Sequence, residues 1–124
     1  MSHTKTPPLP ELEPGFRLWL SRQKGAVFGP GKCRLLEAID REGSLRAAAD
    51  SLGISYRKAW GDLRAAEEAL GLSFLTRTRG GANGGQSALN DTGKKWCAGY
   101  RRFEARIQKS VDTAFVRWLS EMEE

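Results

Sequence analysis

Apolar positions between residues 43 and 60 follow the spacing of two short helices joined by a tight turn. In the first helix, small and apolar residues share one face because they recur at helical spacing: Leu45, Ala48, Ala49 and Leu52. Ser44 precedes this helix, where its hydroxyl can accept a hydrogen bond from a free backbone N–H of the first turn. Gly53 follows it, and glycine ends a helix at positive φ with little strain.

The second helix is predicted over residues 55–70, with Ser55 as its N-cap and Gly71 as its stop. Its buried face is defined by apolar residues spaced four, three and four apart: Ala59, Leu63, Ala66 and Leu70. We expect Trp60 to belong to the core as well. Two short helices around a glycine turn, of which the second is polar and basic, are typical of a helix-turn-helix.

The chain before this motif predicts a small hairpin and one further helix. Apolar and polar residues alternate over residues 16–20, which indicates a strand, and residues 27–28 are a second short apolar piece. The polar stretch 21–25 between them is expected to form the turn. A Gly-Pro-Gly sequence then ends the hairpin, and a helix is predicted after it over residues 31–41.

Residues 74–89 predict a second hairpin directly after the helix-turn-helix. Residues 74–79 have the apolar and β-branched content of a strand, residues 80–86 form a glycine-rich tip, and residues 87–89 can pair back on the first strand. A hairpin in this position is a wing. Glycine-rich loops also cradle nucleotide phosphates, but no lysine follows these glycines and no helix follows directly, so the phosphate-loop pattern is absent.

A long amphipathic helix is predicted from Asn90, its N-cap together with Asp91, to near the end of the chain. Its apolar residues recur every three or four positions: Trp96, Tyr100, Phe103, Ile107, Val111, Phe115, Trp118 and Met122. At about 1.5 Å per residue such a helix is roughly 50 Å long, against about 30 Å for a small domain. We therefore expect it to overhang its own domain.

The outer half of this helix carries an apolar surface that needs cover: Val111, Phe115, Trp118 and Leu119. The sequence leaves two ways to bury this surface open. The helix folds back on the N-terminal hairpin, where Trp19 and Phe16 supply the cover, or two copies of the chain pair through this surface. We favour a homodimer, because exposed aromatic stripes usually mark a partner.

Length and composition predict three segments within 124 residues. Residues 1–14 hold four of the five prolines and are expected to be a flexible tail. Residues 15–90 form the winged helix-turn-helix, and residues 91–124 form the last helix. No apolar run reaches the roughly 20 residues of a membrane span, and no signal segment is present, so we expect a cytoplasmic protein with no membrane partner.

The candidate chemistry favours binding over catalysis. A net charge of +5 and a pI near 9.6 make a polyanion a reasonable partner. The sequence offers no His–acid pair, no clustered metal ligands and no cysteine beside a base, so no enzyme, no metal and no cofactor are expected. Cys33 and Cys97 are far apart in the sequence, which favours reduced thiols.

The motif GSLRAAADSLGISYRKAW, the GG-x-x-GG wing and the sequence Leu89–Gly93 together resemble a known family. They are similar to the N-terminal domain of the ModE-type molybdate-responsive regulators, winged-helix proteins related to the LysR-type DNA-binding domain. The resemblance covers about residues 29–100. It implies a mainly α fold with small β: a winged helix-turn-helix with an N-terminal β-hairpin and a long C-terminal dimerisation helix.

The resemblance also implies a dimeric transcriptional regulator that binds double-stranded DNA. The helix 55–70 then enters the major groove, and the wing 74–89 lies on the backbone or minor groove. Full-length regulators of this family carry molybdate-binding domains after the long helix. Because this chain ends at Glu124, no oxyanion site is carried over and an oxyanion effector is not expected.

The predicted DNA contacts fall on both helices of the motif and on the wing. Arg57 is the candidate for a guanine contact, because its fork matches two acceptors on one base edge. The full set comprises Ser44, Arg46, Ser55, Tyr56, Arg57, Lys58, Arg64, Arg77, Arg79, Asn83 and Gln86. Among them Lys58, Arg64, Ser44 and Arg46 are expected on phosphates. The wing lacks the lysine that the family usually carries near its tip, so its affinity is assigned to Arg77 and Arg79.

Three alternatives remain open on the sequence alone. Tyr56 either stacks or touches a phosphate, or it packs on Trp60 one turn away. Gly61, in the middle of the recognition helix, either allows close approach of the duplex or is a tolerated flaw. The whole domain either reads DNA or serves as a winged-helix protein-interaction module that does not read DNA.

Overall fold

The computed structural model describes residues 11–23, 25–78 and 86–123, with the backbone alone at residues 77 and 78. In these residues the elements are β1 (Leu20–Arg22), β2 (Gly25–Phe28), α1 (Pro30–Glu42), α2 (Leu45–Leu52), α3 (Tyr56–Leu70), β3 (Leu75–Thr78), β4 (Gln86–Leu89) and α4 (Asp91–Met122). The predicted architecture is confirmed: three helices, two small hairpins and a long last helix in the predicted order. Among the described helices, none has an apolar stretch long enough to cross a membrane.

The N-terminal hairpin begins later than predicted. Strand β1 starts at Leu20 and includes Ser21 and Arg22, so the strand predicted over residues 16–20 and the turn predicted from residue 21 are wrong. Leu20 pairs with Phe28, and the register shifts before Ser21 pairs with Ala26. Polar residues occupy this strand because its outer positions face solvent, where a two-stranded hairpin needs no apolar side chain.

Helix ends follow the predicted chemistry. The Ser44 hydroxyl accepts a hydrogen bond from the backbone N–H of Ala47 at 3.0 Å, and the Ser55 hydroxyl accepts one from Lys58 at 3.0 Å. Gly53 has φ 71°, and its N–H bonds to the carbonyls of Ala49 and Asp50, which closes α2 before α3 begins. A residue with a side chain is strained in this conformation, so the turn of the motif depends on glycine.

One aromatic side chain joins β2 to α4 and to the residue before β3 in the core. Phe28 of β2 lies with its ring centre 6.1 Å from Phe74, 5.3 Å from Trp96 and 5.5 Å from Tyr100, each in an edge-on arrangement. The Tyr100 hydroxyl donates to the Leu18 carbonyl at 2.9 Å, so its polar end is satisfied inside the cluster. The N-terminal hairpin and the start of α4 are therefore part of the same core as the helix-turn-helix.

The chain groups into two compact units. One is Leu18–Arg101, and the other comprises the described residues 11–17 and 102–123. The first unit includes the early turns of α4, where Cys97 and Tyr100 are buried. This unit therefore ends inside α4, and the predicted domain bounds 15–90 and 91–124 stay predictions.

Helix α4 begins against the second hairpin. The Asn90 side-chain carbonyl accepts a hydrogen bond from the Gly93 N–H at 2.8 Å, which makes Asn90 the N-cap. Gly93 is buried, and a Cβ added there would collide with the carbonyl oxygen of Phe74 and lie 3.2 Å from Leu89 Cβ. Close approach of α4 to the hairpin thus requires glycine at this position.

Gly93→Ala is expected to lower the free energy of unfolding by about 3 kcal/mol, because the new methyl group meets backbone that has no room to move. Gly61→Ala is the matched control: it is also a helical glycine, but a Cβ there meets nothing within 4 Å. The free energy of unfolding of that variant should rise by up to about 1 kcal/mol. Urea unfolding of both variants measures the difference, and equal changes would contradict the close contact assigned to Gly93.

Candidate nucleic-acid interface

The outward side of α3 collects the predicted contact residues. Ala59, Leu63 and Ala66 are buried on the opposite side, which fixes the rotation of the helix about its axis. Consequently Tyr56, Arg57 and Lys58 all face solvent in the first turn, next to the capping Ser55, and Arg64 follows two turns later. The structure therefore brings these five predicted residues together on one helix; whether they contact DNA stays a prediction.

Arg46 of α2 joins this surface through Tyr56. Its guanidinium carbon lies 4.4 Å from the centre of the Tyr56 ring, a cation–π contact between the two helices of the motif. Tyr56 therefore packs against Arg46, and its ring is still 42% exposed. This contact places the predicted phosphate-binding residue of α2 beside the first turn of α3.

Trp60 lies outside the core, so its predicted burial is wrong. Its side chain is 43% exposed, and the Arg64 guanidinium carbon lies 5.0 Å from its ring centre. Trp60 adjoins Ala59 in the sequence but points about 100° away from it around the helix. Tyr56, Trp60 and Arg64 are spaced four apart and form one exposed row, a spacing that the sequence already displayed.

The basic side chains of α3 differ in their present partners. Lys58 Nζ lies 3.2 Å from Asp62 Oδ2, and an Arg64 guanidinium nitrogen lies 2.8 Å from Glu68 Oε2. Exposed pairs one helical turn apart contribute only about 0.3–0.5 kcal/mol, so a phosphate can replace the carboxylate at little cost. Arg57 has no hydrogen bond or ion pair to any described residue, which leaves its fork available.

Gly61 lies in the same exposed region of α3. A Cβ added at this residue would meet no heavy atom within 4 Å, so packing within the protein does not require glycine. The absence of a side chain lowers the surface beside Arg57 and Trp60. Packing within the protein thus supplies no reason for a glycine at this position. Close approach of a duplex and a tolerated flaw both stay open as explanations of Gly61.

Hydrogen bonds hold the second hairpin beside the helix-turn-helix. The Ser87 N–H donates to the Gly43 carbonyl at 2.8 Å, and the Leu89 N–H donates to Asp40 Oδ1 at 3.2 Å. These bonds fix β4 against the last turn of α1 and the Gly43 that ends it. A groove of about 670 Å³ lies along this junction, and its lining mixes Arg46 with three carboxylates, Asp40, Glu42 and Asp50.

The predicted contacts of the wing are only partly described. Arg77 is paired with Ser87 and Thr78 with Gln86 in the β3–β4 ladder, and Gln86 is exposed. The side chain of Arg77 and the whole of Arg79 and Asn83 lie outside the described residues. Their predicted roles on DNA accordingly stay predictions.

The distal part of α4 carries the predicted dimerisation residues. Val111, Phe115 and Leu119 are half-buried, whereas Trp118 is 45% exposed. The rings of Phe115 and Trp118 lie 6.0 Å apart, so they form one continuous aromatic surface. Val116 and Met122 are also exposed at 64% and 56%.

Comparisons with known proteins agree with this geometry. The family model described as bacterial regulatory helix-turn-helix protein, lysR family, matches residues 31–94. The molybdenum transport protein ModE of Azotobacter vinelandii is 34% identical over 96 residues, 77% of this chain and 36% of the relative. The molybdenum-pterin-binding protein MopB of Rhodobacter capsulatus is 39% identical over 89 residues, 72% of this chain and 33% of the relative.

The chain thus spans about a third of the length of these curated relatives. Among solved structures, the chain in the CbnR_DBD–DNA complex superposes with a TM-score of 0.55 at 23% identity, over 70% of this chain and 94% of that one. This likeness supports the fold. The resemblance to ModE-type regulators that the sequence motifs indicated is confirmed by the relatives.

Proposed function

Because the chain belongs to the family of bacterial regulatory helix-turn-helix proteins of the lysR type, we propose that it binds specific sequences of double-stranded DNA as part of a transcriptional regulator. One observation supports this most strongly: a basic and aromatic surface on α3 that the core does not use, with Arg57 unpaired among the described residues.

In the proposed complex the first turn of α3 enters the major groove, whose width of about 12 Å admits a helix. Arg57 reads a guanine through two parallel hydrogen bonds to O6 and N7. Lys58 and Arg64 exchange their carboxylate partners for phosphates. Ser55 and Tyr56 lie at the edge of the groove, where their hydroxyls can donate to phosphate or base oxygens.

The neighbouring elements are proposed to hold the duplex in register. Arg46, next to Tyr56, contacts a phosphate beside the recognition helix. The Ser44 oxygen already accepts the capping bond, and its hydroxyl proton remains available for a phosphate. The wing contributes contacts to the backbone or minor groove through Arg77, Arg79, Asn83 and Gln86.

We further propose that two copies pair through the distal part of α4. Trp118 with its neighbours Val111, Phe115 and Leu119 forms the apolar surface that pairing would bury, and apolar patches of this kind mark partners. A two-fold dimer would present two recognition helices to two half-sites.

Arg57→Ala is expected to weaken binding to a duplex enriched from a random pool by about 10- to 100-fold, because a bidentate arginine–guanine pair contributes about 1–3 kcal/mol of discrimination. Fluorescence anisotropy at fixed salt measures this. Arg34→Ala removes the same charge from an exposed position of α1 and serves as the control. A similar loss in both variants, or an equal loss on a scrambled duplex, would contradict base reading by Arg57.

Trp118→Asp is expected to convert a dimer into a monomer in sedimentation velocity, because pairing would bury the introduced charge without a partner. Thr113→Asp places the same charge on an exposed position of the same helix and should leave the dimer intact. A wild-type chain that sediments as a monomer at tens of micromolar concentrations would contradict the proposed pairing.

A further inference from the structure

A large apolar ring lies exposed in the middle of α3. Trp60 is 43% exposed, and it is absent from the core cluster that buries Ala59 and Leu63 of the same helix. Aromatic side chains contribute most to cores and interfaces when their area is buried, so a tryptophan left in water forgoes that gain. The packing of the domain gives no reason for an indole at this position, whereas burial against a partner would give one.

The side chains around this ring are mainly cationic. Arg57 and Lys58 are exposed in the turn before it, and the Arg64 guanidinium carbon lies 5.0 Å from its centre. An apolar ring with a positive border fits a polyanion that also presents apolar groups. Duplex DNA offers both, because phosphates line its grooves and thymine methyl groups project into the major groove.

The helix geometry places the ring near the base pair assigned to Arg57. Trp60 follows Arg57 by three residues, so it points about 60° away around α3 and lies about 4.5 Å further along the helix axis. Base pairs are spaced about 3.4 Å apart, so the two side chains reach base pairs within about two steps of each other. Gly61 lies beside both, and a Cβ there would meet no heavy atom within 4 Å. The absence of a side chain at Gly61 leaves room for the edge of a base pair.

Arg64 covers one face of the indole. The same guanidinium has a nitrogen 2.8 Å from Glu68 Oε2, and Trp60, Arg64 and Glu68 are spaced four apart along one side of the helix. A guanidinium that lies over an aromatic ring still has N–H donors for a phosphate. The edge and the other face of the indole are therefore left for an apolar group.

We propose that Trp60 is a further specificity-determining residue, which contacts the C5-methyl group of a thymine within about two base pairs of the guanine assigned to Arg57. This methyl group is the apolar feature that thymine presents in the major groove, and apolar side chains recognise it by contact. The inference rests on the proposed function, because it names a second base feature read by the same helix. It adds a preference for thymine that a guanine-binding arginine does not supply.

Deoxyuridine tests this contact, because it is thymidine without the C5-methyl group and pairs with adenine in the same way. The duplex that the wild-type chain enriches most from a random pool is synthesised with each thymine replaced in turn by deoxyuridine. Fluorescence anisotropy then measures the affinity of each duplex at fixed salt. At one thymine near the Arg57 guanine, the wild-type chain should lose about fourfold in affinity, the factor expected for burial of one methyl-sized group.

The Trp60→Ala chain should bind the thymine and deoxyuridine duplexes equally at that position. Trp19→Ala is the matched control, because it removes another exposed indole, at 54% exposure, from a position before β1. That variant should retain the fourfold loss. Circular dichroism confirms that both variants are folded before they are compared.

Two results would overturn the proposal while sequence-specific binding still stands. One is that no thymine near the Arg57 guanine shows the loss in the wild-type chain. The other is that the loss persists in Trp60→Ala, which would leave the exposed ring to a protein partner. Binding that discriminates between no duplexes would overturn both this proposal and the proposed function.

Discussion

The burial of Ala59, Leu63 and Ala66 is the constraint on which the proposed interface depends. Their burial fixes the rotation of α3 about its axis. That rotation determines the direction in which each exposed residue of the helix points. Their small size matters as well, because alanines where helices cross allow close packing without voids. Once that side is buried, Arg57, Trp60 and Arg64 lie on the exposed side of the helix.

The surface that results is prepared for an anionic partner. Lys58 and Arg64 are paired with carboxylates one turn further along their own helix, Asp62 and Glu68. Arg46 lies over Tyr56, which keeps a second helix in the same surface. Exposed ion pairs are weak, so in the proposed complex a phosphate can replace either carboxylate at little cost.

Local chemistry was readable from the sequence, whereas contacts between distant elements were not. Ser44, Gly53 and Ser55 act through neighbours only a few residues away, so the sequence alone predicted their roles. The predicted burial of Trp60 is wrong. Trp60 directly follows the buried Ala59 in the sequence but points to another side of the helix, and its indole tolerates half-exposure. The pairing of Glu37 with Arg101 depends on how α4 docks on α1, which no local pattern specifies.

The exposed side of α3 is proposed to read DNA sequence, and two copies of the chain are proposed to do so as a pair. Selection of bound duplexes from a random pool tests both parts at once. We predict enrichment of a two-fold symmetric motif with a guanine in each half-site that the Arg57→Ala chain no longer selects. Recovery of no common sequence at low salt, or of the same motif by the Arg57→Ala chain, would contradict this claim.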